Sequence, residues 1–233
     1  MTQYPRRTEK KRQSRAQLIN AANTLFARKG YQHTKLDEVA DEAGLHVQTL
    51  YRHFKSKEEL AAAAAEVLLN DCRAHFDNSA SDRSTFEIWR AWITRTVSYL
   101  ASLGFGEHKR RQLRSVSSLM NDYFLLAVYS GYEDLLTEYL ALDFRMNPKH
   151  SRLPRLVACM LWSGNEAAVK RCAGLDRGHD TLMDDSSLLA ESVGVVDDVE
   201  AVFASYVHLP RTAPENIPVR RCNDESRPRL STD

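Results

Sequence analysis

The sequence predicts an all-α fold: an N-terminal three-helix helix-turn-helix domain joined to a larger helical domain. Three observations carry that prediction. Apolar residues recur at spacings of three and four through most of residues 14–206, with no convincing strand-like alternation. Residues 34–57, TKLDEVADEAGLHVQTLYRHFKSK, hold two short apolar stripes on either side of a glycine, the pattern of two helices crossing at a tight turn. Charge is also divided: residues 1–57 carry 12 Lys or Arg against 5 Asp or Glu and residues 58–233 carry 20 against 26, although the whole chain is only +1. A basic head on an acidic body suits a polyanion partner, because neutralising phosphates releases counterions.

Taken in order, residues 1–13 form a basic arm with Arg6, Arg7, Lys10, Lys11 and Arg12 and no apolar periodicity. Such an arm either enters a minor groove or adds nonspecific attraction. Residues 14–29 read as an amphipathic helix through Leu18, Ile19, Ala22, Leu25 and Phe26, with Arg28 and Lys29 at its negative end and Gly30 closing it. The next helix, residues 35–43, carries Leu36, Val39, Ala40 and Ala43; Thr34 is expected as its N-cap and Asp37 as the capping-box acid. Gly44 takes the sharp turn, and the small Ala40 lets a second helix cross closely. That helix, residues 47–54, buries Leu50 and Phe54 and leaves Val47, Gln48, Thr49, Tyr51, Arg52 and His53 as candidate readers of a DNA groove.

Residues 56–59, SKEE, form a further capping box, and the alanines at 61–65 favour the helix that follows, which links the head to the body and reaches Cys72 or His75. In the body, residues 84–103 (Phe86, Trp89, Trp92, Ile93, Val97, Leu100), 116–144, 155–171 and 186–206 read as helices, and Ser130 with Gly131 is expected to break the second of these. The charge run Lys109, Arg110, Arg111 and Arg114 reads as a solvated face, and residues 173–185 as a polar linker. From residue 209 the composition turns to Pro, Arg, Asn, Ser and Asp, a disordered tail. The division is therefore 1–13 arm, 14–60 DNA-binding domain, 61–208 regulatory and dimerisation domain, and 209–233 tail.

Composition and motifs exclude several classes. No run of 18 apolar residues and no leader pattern is present, so a cytoplasmic protein without a membrane partner is expected. Cys72, Cys159, Cys172 and Cys222 lie too far apart for a CxxC site, and the eight histidines are scattered. No HExxH, GxSxG, phosphate loop or di-iron Glu-x-x-His pair occurs. Neither catalysis, a metal nor a cofactor is expected.

The run LINAANTLFARKGYQHTKLDEVADEAGLHVQTLYRHFKSKEEL, residues 18–60, resembles the DNA-binding domain of TetR-family transcriptional regulators, including the TLYxHFxSKEEL ending. Carried over residue by residue, the resemblance implies that Val47 and Gln48 face base edges and that Thr34, Thr49, Tyr51, His53 and Lys57 meet phosphates. Gln48 has the donor and acceptor that adenine requires, and Val47 can touch a thymine methyl; Arg52 suits either guanine or a phosphate. One departure is His46, where family members often cap the reading helix with Ser or Thr. Its imidazole either accepts from a backbone N–H or faces a phosphate, which would make binding sensitive to pH.

The resemblance further implies a homodimer on a palindromic operator, with the last two helices pairing with their copies and Ala158, Gly164, Ala167 and Ala168 allowing close approach. It also implies a ligand pocket between the helices of the second domain. All three tryptophans lie there, and Trp89, Trp92, Met120, Tyr123, Phe124 and Trp162, with Tyr129 and Tyr132, would line a site for an apolar or aromatic small-molecule effector; core packing explains the same residues. The expected function is a ligand-responsive DNA-binding regulator, a repressor released by its effector. The alternatives are a DNA-anchored factor whose helical domain binds a protein, and a redox sensor pairing Cys159 with Cys172.

Overall fold

The computed structural model describes residues 4–102, 123–172 and 185–211. Among them are eight α-helices: α1 (Tyr4–Lys29), α2 (Leu36–Glu42), α3 (Val47–His53), α4 (Lys57–Asp77), α5 (Thr85–Ser102), α6 (Tyr123–Asp143), α7 (Leu153–Cys172) and α8 (Asp185–Phe203), the last continuing into a 3-10 turn at Ala204–Tyr206. No strand occurs among the described residues. The all-α class and the two-part organisation agree with the sequence pattern.

The head closes around Leu18, Ala22 and Phe26 of α1, Val39 and Ala40 of α2, Leu50 of α3, and Leu60 and Ala64 of α4, all buried. The alanine run of α4 does more than favour helix. Ala61, Ala63, Ala64 and Ala65 are buried, so α1 approaches closely enough for the Asn23 amide to donate to the Ala64 carbonyl at 3.3 Å. Beyond the head, α4 packs on α6, α6 on α7, α7 on α8, and α8 back on α5. Ser84 and Glu87 start α5 with a reciprocal box, Ser84 N–H to Glu87 Oε2 at 2.7 Å and Glu87 N–H to Ser84 Oγ at 3.1 Å.

Several elements differ from expectation. Helix α1 begins at Tyr4, ten residues before the predicted start, so Lys10, Lys11 and Arg12 ride on a helix rather than an extended arm. Polar helix formers and the Glu9–Arg12 pair at 2.8 Å support those turns without any apolar stripe. The N-cap of α2 is Lys35, not Thr34, and the acid that reaches back is Glu38, whose Oε2 accepts from Lys35 N–H at 2.8 Å, not Asp37. Ser130 and Gly131 do not interrupt α6: a Cβ at position 131 would overlap the Leu69 side chain, so this glycine serves the close crossing of α4 and α6. The predicted tail also starts too early, because Arg211 is locked onto Asp143. The charge run at 109–114, the linker at 173–184 and tail residues 212–233 lie outside the described residues.

The small residues of α7 also have a different use. Ala158 and Ala168 are buried within the single chain, and a Cβ on Gly164 would overlap Val195 of α8. Gly164 thus lets α7 and α8 of one chain approach closely. The open side of α7 instead carries Leu156 and Met160, 58% and 45% exposed.

Candidate nucleic-acid interface

The turn before α3 follows from a few hydrogen bonds. Ala43 ends α2, Gly44 takes φ +64°, and the N–H groups of Gly44 and Leu45 donate to the carbonyls of Asp41 (3.0 Å) and Ala40 (2.9 Å). This is the doubled bond of a Schellman motif, and its left-handed position is why glycine stands there. The chain then enters α3 through His46, whose Nδ1 accepts from Gln48 N–H at 3.2 Å. The imidazole therefore caps the helix, the first of its two sequence-based roles. On the inner side Leu50 and Phe54 are buried, and the Arg15 guanidinium lies 5.2 Å from the Phe54 ring centroid.

That seating decides which side chains face outward. Gln48, Tyr51 and Arg52 are exposed, and Val47, Thr49 and His53 are half-buried along the same short helix, with Val47 also packing on the core. Lys57 opens α4 with its ammonium 4.3 Å from the Tyr31 ring centroid and donating to the Gln32 carbonyl at 3.3 Å. Ser56 caps that helix by accepting from Glu59 N–H at 3.2 Å. Thr34 stands apart from the set: it is 1% exposed and its hydroxyl donates to the Gly30 carbonyl at 2.8 Å, closing the end of α1.

The basic surroundings of α3 come from the early turns of α1. Burial first, and then the positive charges of Lys11 and Arg15, hold the His53 imidazole below its ordinary pKa. Sequence reasoning assigned Lys11 to a free arm and missed Arg15; its place one helical turn before Leu18 on the same face was the available signal. The Lys29–Glu38 ion pair at 2.5 Å ties the end of α1 to the start of α2.

The predicted effector residues divide into two groups. Trp89, Trp92 and Trp162 come together around Tyr132: Trp162 stacks on it at 5.0 Å, and Trp89 and Trp92 meet it edge-on at 5.5 and 6.4 Å, with Tyr129 4.8 Å from Trp162. Within this cluster Trp89 Nε1 donates to Asn165 Oδ1 at 3.1 Å, and the Asn165 amide donates to the Ser192 carbonyl at 2.7 Å. Tyr123 and Phe124 are elsewhere, against Tyr31 and Phe26 of the head at 6.3 and 5.0 Å. Met120 lies outside the described residues. An open groove of about 530 Å³ runs along the outer face of α5, between Arg83 and Ser98, and none of the aromatic residues lines it.

Cys159 and Cys172 belong to one unbroken helix, α7. Thirteen residues at 1.5 Å rise separate them by about 20 Å, whereas a disulfide needs Cα atoms within about 7 Å. Burial and the nearby Glu133 carboxylate push the Cys159 thiol above its ordinary pKa, away from the reactive thiolate. Among the described residues no helix is long and apolar enough to cross a membrane, and no group of three or more His, Cys, Asp or Glu is placed to hold a metal ion.

Residues 18–64 match the family described as bacterial regulatory proteins, tetR family. The chain is 46% identical over 55 residues to the HTH-type transcriptional regulator TcmR of Streptomyces glaucescens, a match covering 24% of this chain and 24% of that protein. The chain thus spans about a quarter of that relative's length. Solved structures extend the likeness to the second domain at lower identity. A tetR-family transcriptional regulator from Streptomyces coelicolor is 18% identical with a TM-score of 0.57, covering 83% of this chain and 81% of that one. FadR from Bacillus subtilis, solved in complex with stearoyl-CoA, is 20% identical with a TM-score of 0.52, covering 83% and 99%. At these identities the likeness is one of fold.

Proposed function

We propose, from a chain whose N-terminal domain is that of the bacterial tetR family of regulatory proteins, that this protein is a ligand-responsive transcriptional repressor that binds a palindromic operator as a homodimer. The observation that carries the reading is the seating of α3. A seven-residue helix capped at His46 and anchored by Leu50 and Phe54 offers Gln48, Tyr51 and Arg52 to solvent, beside the positive charges of Lys11 and Arg15. Gln48 and Val47 read base edges, while Thr49, Tyr51, His53 and Lys57 hold the backbone. Arg52 serves either purpose. Thr34 acts indirectly, by fixing the turn between α1 and α2. Residues 14–60 form the reading head and residues 61–208 the regulatory and dimerisation part.

The dimer reading is supported by the exposed face of α7 at Leu156 and Met160 and by Val202 and Tyr206 at the end of α8. A palindromic operator requires the two copies of α3 in such an isologous dimer to lie about 34 Å apart, one turn of the duplex. The effector is a small apolar or aromatic molecule that parts the rings of Trp89, Trp92, Tyr132 and Trp162. It releases DNA by favouring a dimer in which the two reading helices no longer match the operator.

Selection of bound sequences from a random duplex library, followed by affinity measurement at fixed salt, tests the reading. An enriched palindrome supports a dimeric, sequence-reading regulator and supplies the probe for an effector screen. Weak, salt-sensitive binding with no enrichment favours a DNA-anchored factor whose exposed α7 face takes a protein partner.

A further inference from the structure

Tyr31 sits where three elements meet. Gly30, at φ 81°, ends α1, and Thr34 fixes the turn that follows by donating from its N–H to the Tyr31 carbonyl at 3.2 Å. The Tyr31 side chain is 4% exposed. Its hydroxyl donates to Glu58 Oε1 at 3.1 Å in the first turn of α4, and the Lys57 ammonium lies 4.3 Å from its ring centroid. The same ring packs on Phe26 of α1 at 5.5 Å and meets Tyr123, the first residue of α6, at 6.3 Å and 68°.

We propose that Tyr31 is a positioning residue that makes the reach of Lys57 toward a DNA phosphate depend on where the first turn of α6 sits. This rests on the DNA-binding reading given above. The Lys57 ammonium is held by a ring face and by the Gln32 carbonyl, weak contacts at an exposed site that a phosphate can replace. The orientation of the ring decides how firmly it is held. Phe26 and Tyr123 fix the plane of the ring, and the Glu58 bond fixes its long axis. Tyr123 is itself 56% exposed, so its contact with Tyr31 moves with α6, whereas the Phe124–Phe26 contact beside it is buried on both sides. Nine residues along α6 stands Tyr132, at the centre of the aromatic cluster. A molecule that parts Tyr132 from Trp162 displaces the helix whose first residue touches Tyr31. The displacement then reaches Lys57 and, through Ser56, Lys55 and Phe54, the end of α3.

A double-mutant cycle on the full chain tests the link. Dissociation constants for the duplex enriched by selection are measured at one salt concentration for wild type, Lys57→Ala, Tyr123→Ala and the double variant. Tyr123 is half in solvent, so its truncation leaves folding intact, which a thermal melt checks. The expected result is that the fold-loss caused by Lys57→Ala differs by about threefold or more between the two backgrounds. Independent, multiplying losses overturn the proposal, as does a Lys57→Ala variant with unchanged affinity. A readout without DNA separates failure of the link from failure of the DNA reading. The Lys57 ammonium lies over the Tyr31 ring, so the adjoining ε-methylene protons are expected to carry a ring-current shift that moves in Tyr123→Ala and in Tyr31→Phe. An unmoved resonance overturns the link even if wild type binds a palindrome tightly.

Discussion

The guanidinium of Arg211 closes on the carboxylate of Asp143, Nε to Oδ1 at 2.5 Å, across 68 residues of sequence. Asp143 is fully buried at the end of α6, and it also accepts from Thr85 N–H at the start of α5 at 2.6 Å. Arg211 extends the junction by donating to Thr85 Oγ1 at 3.1 Å and from its own N–H to the Ser81 carbonyl at 3.0 Å. The segment after α8 is thereby a strap holding the ends of α5 and α6.

Removing the cation leaves a buried carboxylate without its counter-charge. Arg211→Met is expected to lower the unfolding free energy by about 3–5 kcal/mol, and Arg211→Met with Asp143→Leu to recover part of that loss, the rest reflecting the Thr85 N–H left without its acceptor. Urea unfolding at neutral pH measures both. Equal stability of wild type and Arg211→Met would remove the strap from the account.

Gly131 of α6 packs against the Leu69 side chain of α4. Gly131→Ala pushes a methyl group into Leu69 and is expected to cost about 1–3 kcal/mol through overpacking, partly offset by about 1 kcal/mol of better helix propensity. Because Leu69 is a flexible side chain, Leu69→Ala in the same protein should return part of the loss. Thermal melts of wild type and the two variants decide the sign.

At the cap of α3, His46→Ala removes the acceptor for Gln48 N–H and is expected to cost about 1 kcal/mol of stability and to weaken DNA binding. His46→Ser, which keeps an acceptor, should bind as wild type does. Loss of binding in His46→Ser equal to that in His46→Ala would show that the imidazole does something other than cap.

His53 predicts a pH dependence with a definite sign. In the free protein burial, Lys11 and Arg15 hold its pKa down, so less of it is protonated than of an ordinary histidine at the same pH. A bound phosphate favours the charged form. Binding therefore takes up a proton, and affinity rises as pH falls through the ordinary histidine range, by at most about tenfold per pH unit. The free protein shows the opposite trend, because a depressed pKa makes the folded state lose stability on acidification. Titrating affinity from pH 8 to 6 for wild type and His53→Gln checks this, and identical profiles would contradict it.

The apolar stripes were legible because a helical period exposes them directly: Leu18, Ala22, Leu50 and Phe54 are buried as their spacing requires. Contacts that join distant segments were not. Nothing near Gly131 announces Leu69, and nothing near Arg211 announces Asp143, so a packing glycine read as a break and a strap read as a tail. Thr34 has a hydroxyl suited to capping α2, but that helix starts one residue later than its stripe suggests, at Leu36, so Lys35 takes the cap position and the Thr34 hydroxyl donates to the Gly30 carbonyl instead. The nearly three polar turns added to α1 have no stripe to reveal them. Aromatic composition pointed to the second domain without showing that Tyr123 and Phe124 face the head, while Trp89, Trp92 and Trp162 gather around Tyr132.

Reading of base pairs by α3 is the central claim, and repeating the duplex selection with Gln48→Ala tests it most directly. The account predicts that wild type enriches a palindrome, and that the variant loses preference at one position in each half-site by about 1–3 kcal/mol while keeping the salt dependence of its binding. The same enriched sequence with undiminished preference at every position would contradict it.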